Sequence, residues 1–250
     1  MGSTVCRAVA DQPDLELVGA VDPHHAGLDV RQVTGVDVVG LQVAPDAGGL
    51  AHVRPDVAVD FTLVEAAREN LRWCAKNGLH AVVGTTGFTA DDHAHLRRIF
   101  KRSNCFVAPN FAIGAVLMMR FAELAAPYFE SAEIVELHHD EKVDAPSGTA
   151  MLTAERMAAA STEWGPDPTE TVVVAGARGG SGPGGIRIHS ARMRGLVAHH
   201  EVLLGTTGQS LTIRHDSYDR SSFMPGVLLA VRAVADHPGV TVGLEQLLKI

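Results

Sequence analysis

Residues 136–150 read Glu-Leu-His-His-Asp-Glu-Lys-Val-Asp-Ala-Pro-Ser-Gly-Thr-Ala and hold the side chains best suited to chemistry. Two adjacent imidazoles, His138 and His139, titrate near neutral pH and suit general acid or base work. Lys142 adds a full positive charge. Ser147, Gly148 and Thr149 follow a proline and read as a helix start, where N–H groups and a hydroxyl receive a carboxylate well. The set suits a small, multiply anionic substrate that is held while a proton moves. Plainer uses are open to the same residues: Ser147 can cap the helix, and Lys142 can pair with Asp140, Glu141 or Asp144. Arg192 and Arg214 lie on later strands, within reach of the pocket or, the favoured reading, at the surface. His24-His25 and His199-His200 read as exposed or strand positions without chemistry. With no His-Glu-x-x-His and no paired cysteines, no metal site is expected.

A second set stands at the ends of short apolar runs. Gly84-Thr85-Thr86-Gly87 follows one of them, where ligands bind at the carboxyl edge of open α/β sheets. Its glycines admit close approach and its hydroxyls suit a nicotinamide ribose or carboxamide, although a plain strand-to-helix turn looks the same. Ala108-Pro109-Asn110-Phe111 ends the next run on the same edge and offers the Asn110 amide, or serves as a hinge between domains. Gly2 and Asp22 have the spacing of a helix-opening glycine and the ribose-binding acid about 20 positions later in a dinucleotide fingerprint. The first strand and earlier glycines of such a fingerprint do not precede Gly2, which reads either as a start inside it or as an ordinary terminal residue, with Asp22-Pro23 an ordinary turn. Weak cofactor binding and reduced stability would follow from the former.

These loops need a sheet to carry them. Apolar, β-branched runs at 15–21, 57–61, 80–83 and 105–108 suit strands buried on both faces. Between them Val64, Ala67, Leu71 and Cys74 recur at helical spacing, with Gly78 as the stop. Thr89 and Asp92 open another helix, which is expected to end in Lys101 and Arg102. Repeating strand–helix units imply a doubly wound, Rossmann-like α/β domain without its first strand. After Asn110 the rhythm changes. Helices at 113–126 and 149–160 flank a strand at 132–137, and strand-like runs follow at 171–175, 186–194, 199–204 and 210–215. Strands without intervening helices predict a mixed or antiparallel sheet in a second, α+β domain. The glycine-rich stretch 176–185 reads as a mobile loop, and 227–235 as a helix returning to the first domain. The expected division is a dinucleotide-binding domain, 1–110 with 221–250, and a substrate-binding and oligomer-forming domain, 111–220.

Composition narrows the class. Of 250 residues 46% are hydrophobic and 20% charged, as in soluble globular proteins, and the net charge of −8 argues against a nucleic-acid surface. Cys6, Cys74 and Cys105 form no redox or metal pattern and suit a reducing compartment. No run approaches the roughly 18 apolar residues of a membrane span, and the start lacks a signal-peptide pattern. A cytoplasmic protein with no membrane partner is expected.

The segment 136–150 resembles the signature of bacterial dihydrodipicolinate reductases, also called 4-hydroxy-tetrahydrodipicolinate reductases. Val59-Asp-Phe-Thr62, Val83-Gly-Thr-Thr-Gly-Phe88, Ala108-Pro-Asn-Phe-Ala-Ile-Gly114, Leu211-Thr-Ile-Arg-His215 and Ser222-Phe223 carry the likeness over nearly the whole chain. Leu196-Val-Ala-His199 is nearest the actinobacterial type. Of the family's Gly-x-x-Gly-x-Met-Gly loop only Met1-Gly2 remains. The resemblance implies a homotetramer that reduces 4-hydroxy-tetrahydrodipicolinate to tetrahydrodipicolinate with NADH or NADPH, in the diaminopimelate route to lysine. It implies His138 as proton donor or acceptor, Lys142 as proton donor, and His139, Gly148 and Thr149 as holders of a small dicarboxylate. Met1, Asp22, Gly84, Thr85, Thr86, Ala108, Pro109, Asn110 and Phe111 would contact the cofactor. Two alternatives stand beside it: another two-domain amino-acid dehydrogenase, and a catalytically impaired, shortened subunit.

Overall fold

In the computed structural model the described residues are 1–38 and 40–248. The chain divides into two compact units, Met1–Phe111 with Phe223–Ile250, and Ala112–Ser222.

The first unit begins with α1 (Gly2–Ala10), β1 (Ala20–Val21), α2 (Val30–Thr34) and β2 (Val43–Ala44). Only the last two residues of the apolar run 15–21 are strand, because only they find a parallel partner, Ala20 opposite Val43 and Val21 opposite Ala44. Then follow β3 (Val57–Asp60), α3 (Val64–Asn77), β4 (His80–Val83), α4 (Ala90–Ile99) and β5 (Cys105–Val107), with β3, β4 and β5 paired in parallel. Every residue of β5 and all but the first of β4 are buried, as in a sheet covered on both faces. Helix α3 buries Ala67, Leu71, Cys74 and Ala75 and stops at Gly78, whose φ of 71° is the left-handed turn that glycine adopts without strain. Thr89 and Asp92 form the expected capping box of α4, and Arg68 clamps Asp92 at 2.8 and 2.7 Å. The helix ends at Ile99, so Arg97 and Arg98 occupy its last turn, not Lys101 and Arg102.

The second unit comprises α5 (Ile113–Ala125), β6 (Ser131–His138), α6 (Gly148–Ala160), β7 (Gly180–Ser181), β8 (Arg187–Arg192), β9 (Ala198–Thr206) and β10 (Gln209–Ser217). Its strands form one mixed sheet in the order β10-β9-β6-β8-β7. The run 171–175 is not a strand: its β-branched residues pair with no neighbour, and Val172, Val173 and Val174 are exposed. The glycine-rich stretch is more ordered in pattern than a loop, because Gly180 and Ser181 pair antiparallel with Ile188 and Arg187. Ala122, Ala126, Ala150, Ala154 and Met157 of the helices pack on Ile134, Ile188, Val202 and Leu204 of the sheet.

The chain then returns to the first unit through α7 (Met224–Ala233), β11 (Val240–Val242) and α8 (Glu245–Leu248). Strand β11 lies parallel to β5, completing a sheet in the order β11-β5-β4-β3, separate from the pair β1-β2. Asn104 fastens the return: its amide nitrogen donates to the carbonyls of Val234 and Ala235, both at 2.9 Å, and its oxygen accepts from Gly239 N–H at 3.0 Å.

Candidate active site

Side chains on a strand alternate between faces, so register decides which residues meet. On the helix-covered face of the second sheet, Ile188, Ile134, Val202 and Ile213 lie side by side across β8, β6, β9 and β10. Two residues further along β6 the same face turns polar, with Ser190, Glu136, His200 and His215 in one row. The next row holds Arg192, His138, Ala198 and Ser217. The apolar layer anchors the sheet, and the polar rows beside it form the candidate site.

Glu136 is fully buried, and three elements converge on its carboxylate. His138 Nδ1 meets one oxygen, the Arg192 guanidinium donates at 2.9 and 3.1 Å, and Ser147 N–H donates at 3.3 Å. Burial pushes this carboxyl up, but hydrogen bonds from His138, Arg192 and Ser190 outweigh it and bring it down to about 2. Glu136 therefore stays ionised at neutral pH. Its oxygen must accept, so the hydrogen of a neutral His138 sits on Nδ1 and Nε2 is turned away from the carboxylate. Arg192 takes the pocket position, not the favoured surface one: it is an inner member of the site and also donates to the carbonyl of Asp144. Arg214 does lie outside, pairing with Asp216 and Glu201.

The loop from His139 to Ser147 carries the remaining candidates. His139 is exposed, and its N–H donates to Val197 O at 3.3 Å. Lys142 pairs with Asp144 at 2.7 and 2.9 Å, one of the plainer uses the sequence left open, and its side chain is 22% accessible. The ammonium holds the Asp144 carboxyl below the usual range. Ser147 caps α6, its Oγ accepting from Ala150 N–H at 3.2 Å, while Gly148 opens the helix with clear space where a Cβ would stand. The cap and a possible anion contact are compatible, since the hydroxyl serves Ala150 and the first-turn N–H groups point outward along the axis. His200 holds the strand position of the two expected of it, within β9, and is buried: it is 5% exposed, burial holds it down at about 4, and its Nε2 finds no partner.

The first unit places the other candidates at strand and helix ends. Met1 is the N-cap of α1, whose first turn has no side-chain cap, and space around Gly2 is open. Asp22 follows β1, accepts from His24 N–H at 2.9 Å and pairs with His25 Nδ1 at 2.8 Å, which lowers its pKa. An open helix start and an ionised, half-exposed carboxylate after the neighbouring strand fit the pyrophosphate and ribose of a dinucleotide.

Gly84, Thr85 and Thr86 leave β4 at its carboxyl end, and Ala108, Pro109, Asn110 and Phe111 leave β5 likewise. Two details depart from the sequence reading. Thr85 is buried and its hydroxyl donates inward, to Thr62 O at 2.9 Å and Asp60 at 3.2 Å, leaving Thr86 as the exposed hydroxyl. Gly84 is small for packing: a Cβ there would lie 2.0 Å from the Phe61 ring, itself packed on Phe111 at 5.8 Å. Asp60, to which the sequence gives no role beyond its place in Val59-Asp-Phe-Thr62, organises this corner, accepting from Thr62 N–H, Thr62 Oγ1 and Asn70 Nδ2 at 2.7–2.8 Å. Among the described residues no group of three or more His, Cys, Asp or Glu is placed to hold a metal ion, and no helix is long and apolar enough to cross a membrane.

A parallel, helix-flanked sheet of Rossmann type, with a separate mixed sheet bearing a carboxylate-oriented imidazole, defines a two-domain oxidoreductase of the dinucleotide-dependent class. Family models described as the N-terminus and C-terminus of dihydrodipicolinate reductase match residues 1–111 and 114–248. The chain belongs to that family. A 4-hydroxy-tetrahydrodipicolinate reductase of Cutibacterium acnes is 51% identical over 99% of this chain and 94% of its own length. One from Moorella thermoacetica is 46% identical over 100% and 94%. The solved dipicolinate-bound dihydrodipicolinate reductase of Paenisporosarcina sp. TG-14 superposes with a TM-score of 0.83 at 40% identity, over 98% of this chain and 94% of that one. An amine dehydrogenase from Mycobacterium smegmatis, at 14% identity and TM-score 0.66 over 96% and 91%, shares the fold alone.

Proposed function

We propose that this chain reduces 4-hydroxy-tetrahydrodipicolinate to tetrahydrodipicolinate with NADH or NADPH, in the diaminopimelate route to lysine, as a cytoplasmic homotetramer. The observation that carries the reading is the buried Glu136 carboxylate that holds His138 and Arg192, with the Lys142–Asp144 pair on the loop that follows, in a chain 51% identical to a reductase of that name. When bound, the nicotinamide supplies a hydride to the conjugated imine that dehydration of the substrate leaves. The electron pair displaced in the substrate must then be met by a proton. His138 Nε2 and the Lys142 ammonium stand ready to hold and deliver it. His139, with the N–H groups and hydroxyl of Gly148 and Thr149, receives the two carboxylates.

In the first unit Met1, Asp22, Gly84, Thr85, Thr86, Ala108, Pro109, Asn110 and Phe111 line the dinucleotide, with Thr85 contributing through its backbone. The Asp22 carboxylate favours an unphosphorylated ribose, and His24, His25 and Arg31 soften that preference. The test is oxidation of NADH and NADPH by the purified chain with 4-hydroxy-tetrahydrodipicolinate. Turnover with either cofactor supports the assignment. No turnover with this substrate, alongside turnover with another amino-acid-derived imine or keto acid, would overturn it.

A further inference from the structure

Proton transfer has so far been assigned to His138 and Lys142, while Glu136 is fully buried and held by His138, Arg192 and Ser147. Its side chain has no accessible surface, against 16% for His138 and 18% for Arg192. Leaving a buried carboxylate uncompensated is costly, so a site that keeps one uses it for packing, folding or chemistry. Packing alone would be served better by a hydrophobic residue, as at Ile134, two residues earlier on the same face.

The geometry is directional. The carboxylate's three named partners come from the end of β6 itself, from β8 across the sheet, and from the cap of α6. The imidazole partner offers Nδ1, which turns Nε2 outward. The remaining polar neighbour in the row, His200, burial holds down at about 4, so at neutral pH it is uncharged and does not compete for the carboxylate as a cation. Ser190, on the other side, adds a hydroxyl. Nothing in this arrangement gives Glu136 a path to a substrate, because Arg192, Ser147 and His138 enclose it.

We infer that Glu136 is a positioning residue of the active site: its carboxylate fixes the tautomer and ring orientation of His138 while Arg192 and Ser147 N–H hold the carboxylate in place. The inference rests on the reading of His138 as the proton-transfer group. It makes Glu136 and His138 one unit, so their effects on turnover cannot be independent.

Four full-length proteins test it: wild type, Glu136→Gln, His138→Gln and the double variant. Kinetics with 4-hydroxy-tetrahydrodipicolinate are read beside nitrogen-15 NMR of labelled histidines, the His138 signals being those missing from His138→Gln. Glu136→Gln should lower kcat at least about tenfold, a part of the roughly 10²–10⁴-fold that general acid–base catalysis contributes. KM should change less than about threefold, and the His138 signals should move from the Nδ1–H pattern towards a mixture of tautomers. In the His138→Gln background the same change should add no further loss of kcat.

Two failures are told apart. A wild-type rate in His138→Gln removes the reading of His138 itself. A slow His138→Gln, combined with losses that multiply in the double variant or an unshifted His138 spectrum in Glu136→Gln, removes the positioning role alone. If Glu136→Gln does not fold, Glu136→Asp keeps the charge and withdraws it by one methylene. The same tautomer shift and kcat loss are expected there, and a wild-type spectrum and rate would overturn the inference.

Discussion

The types of the candidate site side chains were legible in the sequence, and most of their partners were not. His138, Lys142 and the helix start at Ser147 stand out because imidazole, ammonium and N–H groups so close together have few structural uses. Glu136 could have been found by strand arithmetic, since a residue two before His138 on a strand shares its face. Arg192 reads either way from the sequence, because only register across β6 and β8 places it opposite His138. Lys142 carries the clearest residue-scale prediction. Lys142→Ala should cut kcat by about 10²-fold, the lower range for loss of an acid catalyst, in steady-state assays with saturating cofactor. Its partner behaves differently. Asp144 puts a carboxylate next to the proposed anion site, so Asp144→Asn should lower KM for the dicarboxylate a few-fold, by removing like-charge repulsion. A raised KM would mean that Asp144 matters more for aiming Lys142 than for repelling substrate.

At the scale of elements, helices and buried strands followed from periodicity and caps, whereas isolated β-branched runs misled. Residues 171–175 have strand composition, but β-propensity is realised only against a partner, and this run has none. The run 15–21 shortens to Ala20–Val21 for the same reason. Glycine roles were also hidden. Gly84 reads as a ligand-facing turn, yet the Phe61 ring presses on it and the ring is backed by Phe111. Gly84→Ala should therefore destabilise the protein by roughly 1–3 kcal/mol through overpacking, seen as a lowered denaturant midpoint without added ligand. Ser147→Ala should cost about 1 kcal/mol as a lost helix cap, with a further rise in KM if α6 receives a carboxylate. An unchanged midpoint in Ser147→Ala would show that Ala150 N–H finds another acceptor.

For the whole molecule, the change from alternating strands and helices to consecutive strands was enough to read two kinds of sheet in one chain. What no local pattern disclosed was how the molecule answers acid. His200 sits near 4 when folded against an ordinary value of 6.5, because burial disfavours its cation. The unfolded chain takes up protons between pH 6.5 and 4 that the folded chain refuses, so stability falls as pH drops through that window. A shift of this size corresponds to roughly 3 kcal/mol. Glu136 acts lower on the scale: its contribution is complete above its ordinary 4.5 and drains away towards about 2. Melting temperatures measured from pH 7 down to 4 should decline, and His200→Gln should flatten the 6.5-to-4 part of the curve. Parallel curves for the two proteins would place the acid sensitivity elsewhere.

The pairing of β11 with β5 has a consequence during synthesis. Gly239 meets Asn104 across 135 positions of chain, and every residue of the second unit is translated in between. A ribosome therefore delivers Ala112–Ser222 complete while the first unit still lacks its border strand, with the free rim of Cys105–Val107 waiting. The later unit of the message is the earlier one able to finish folding. A nascent chain halted before Val240 should present that rim to chaperones or proteases, and release of the last residues should end the exposure.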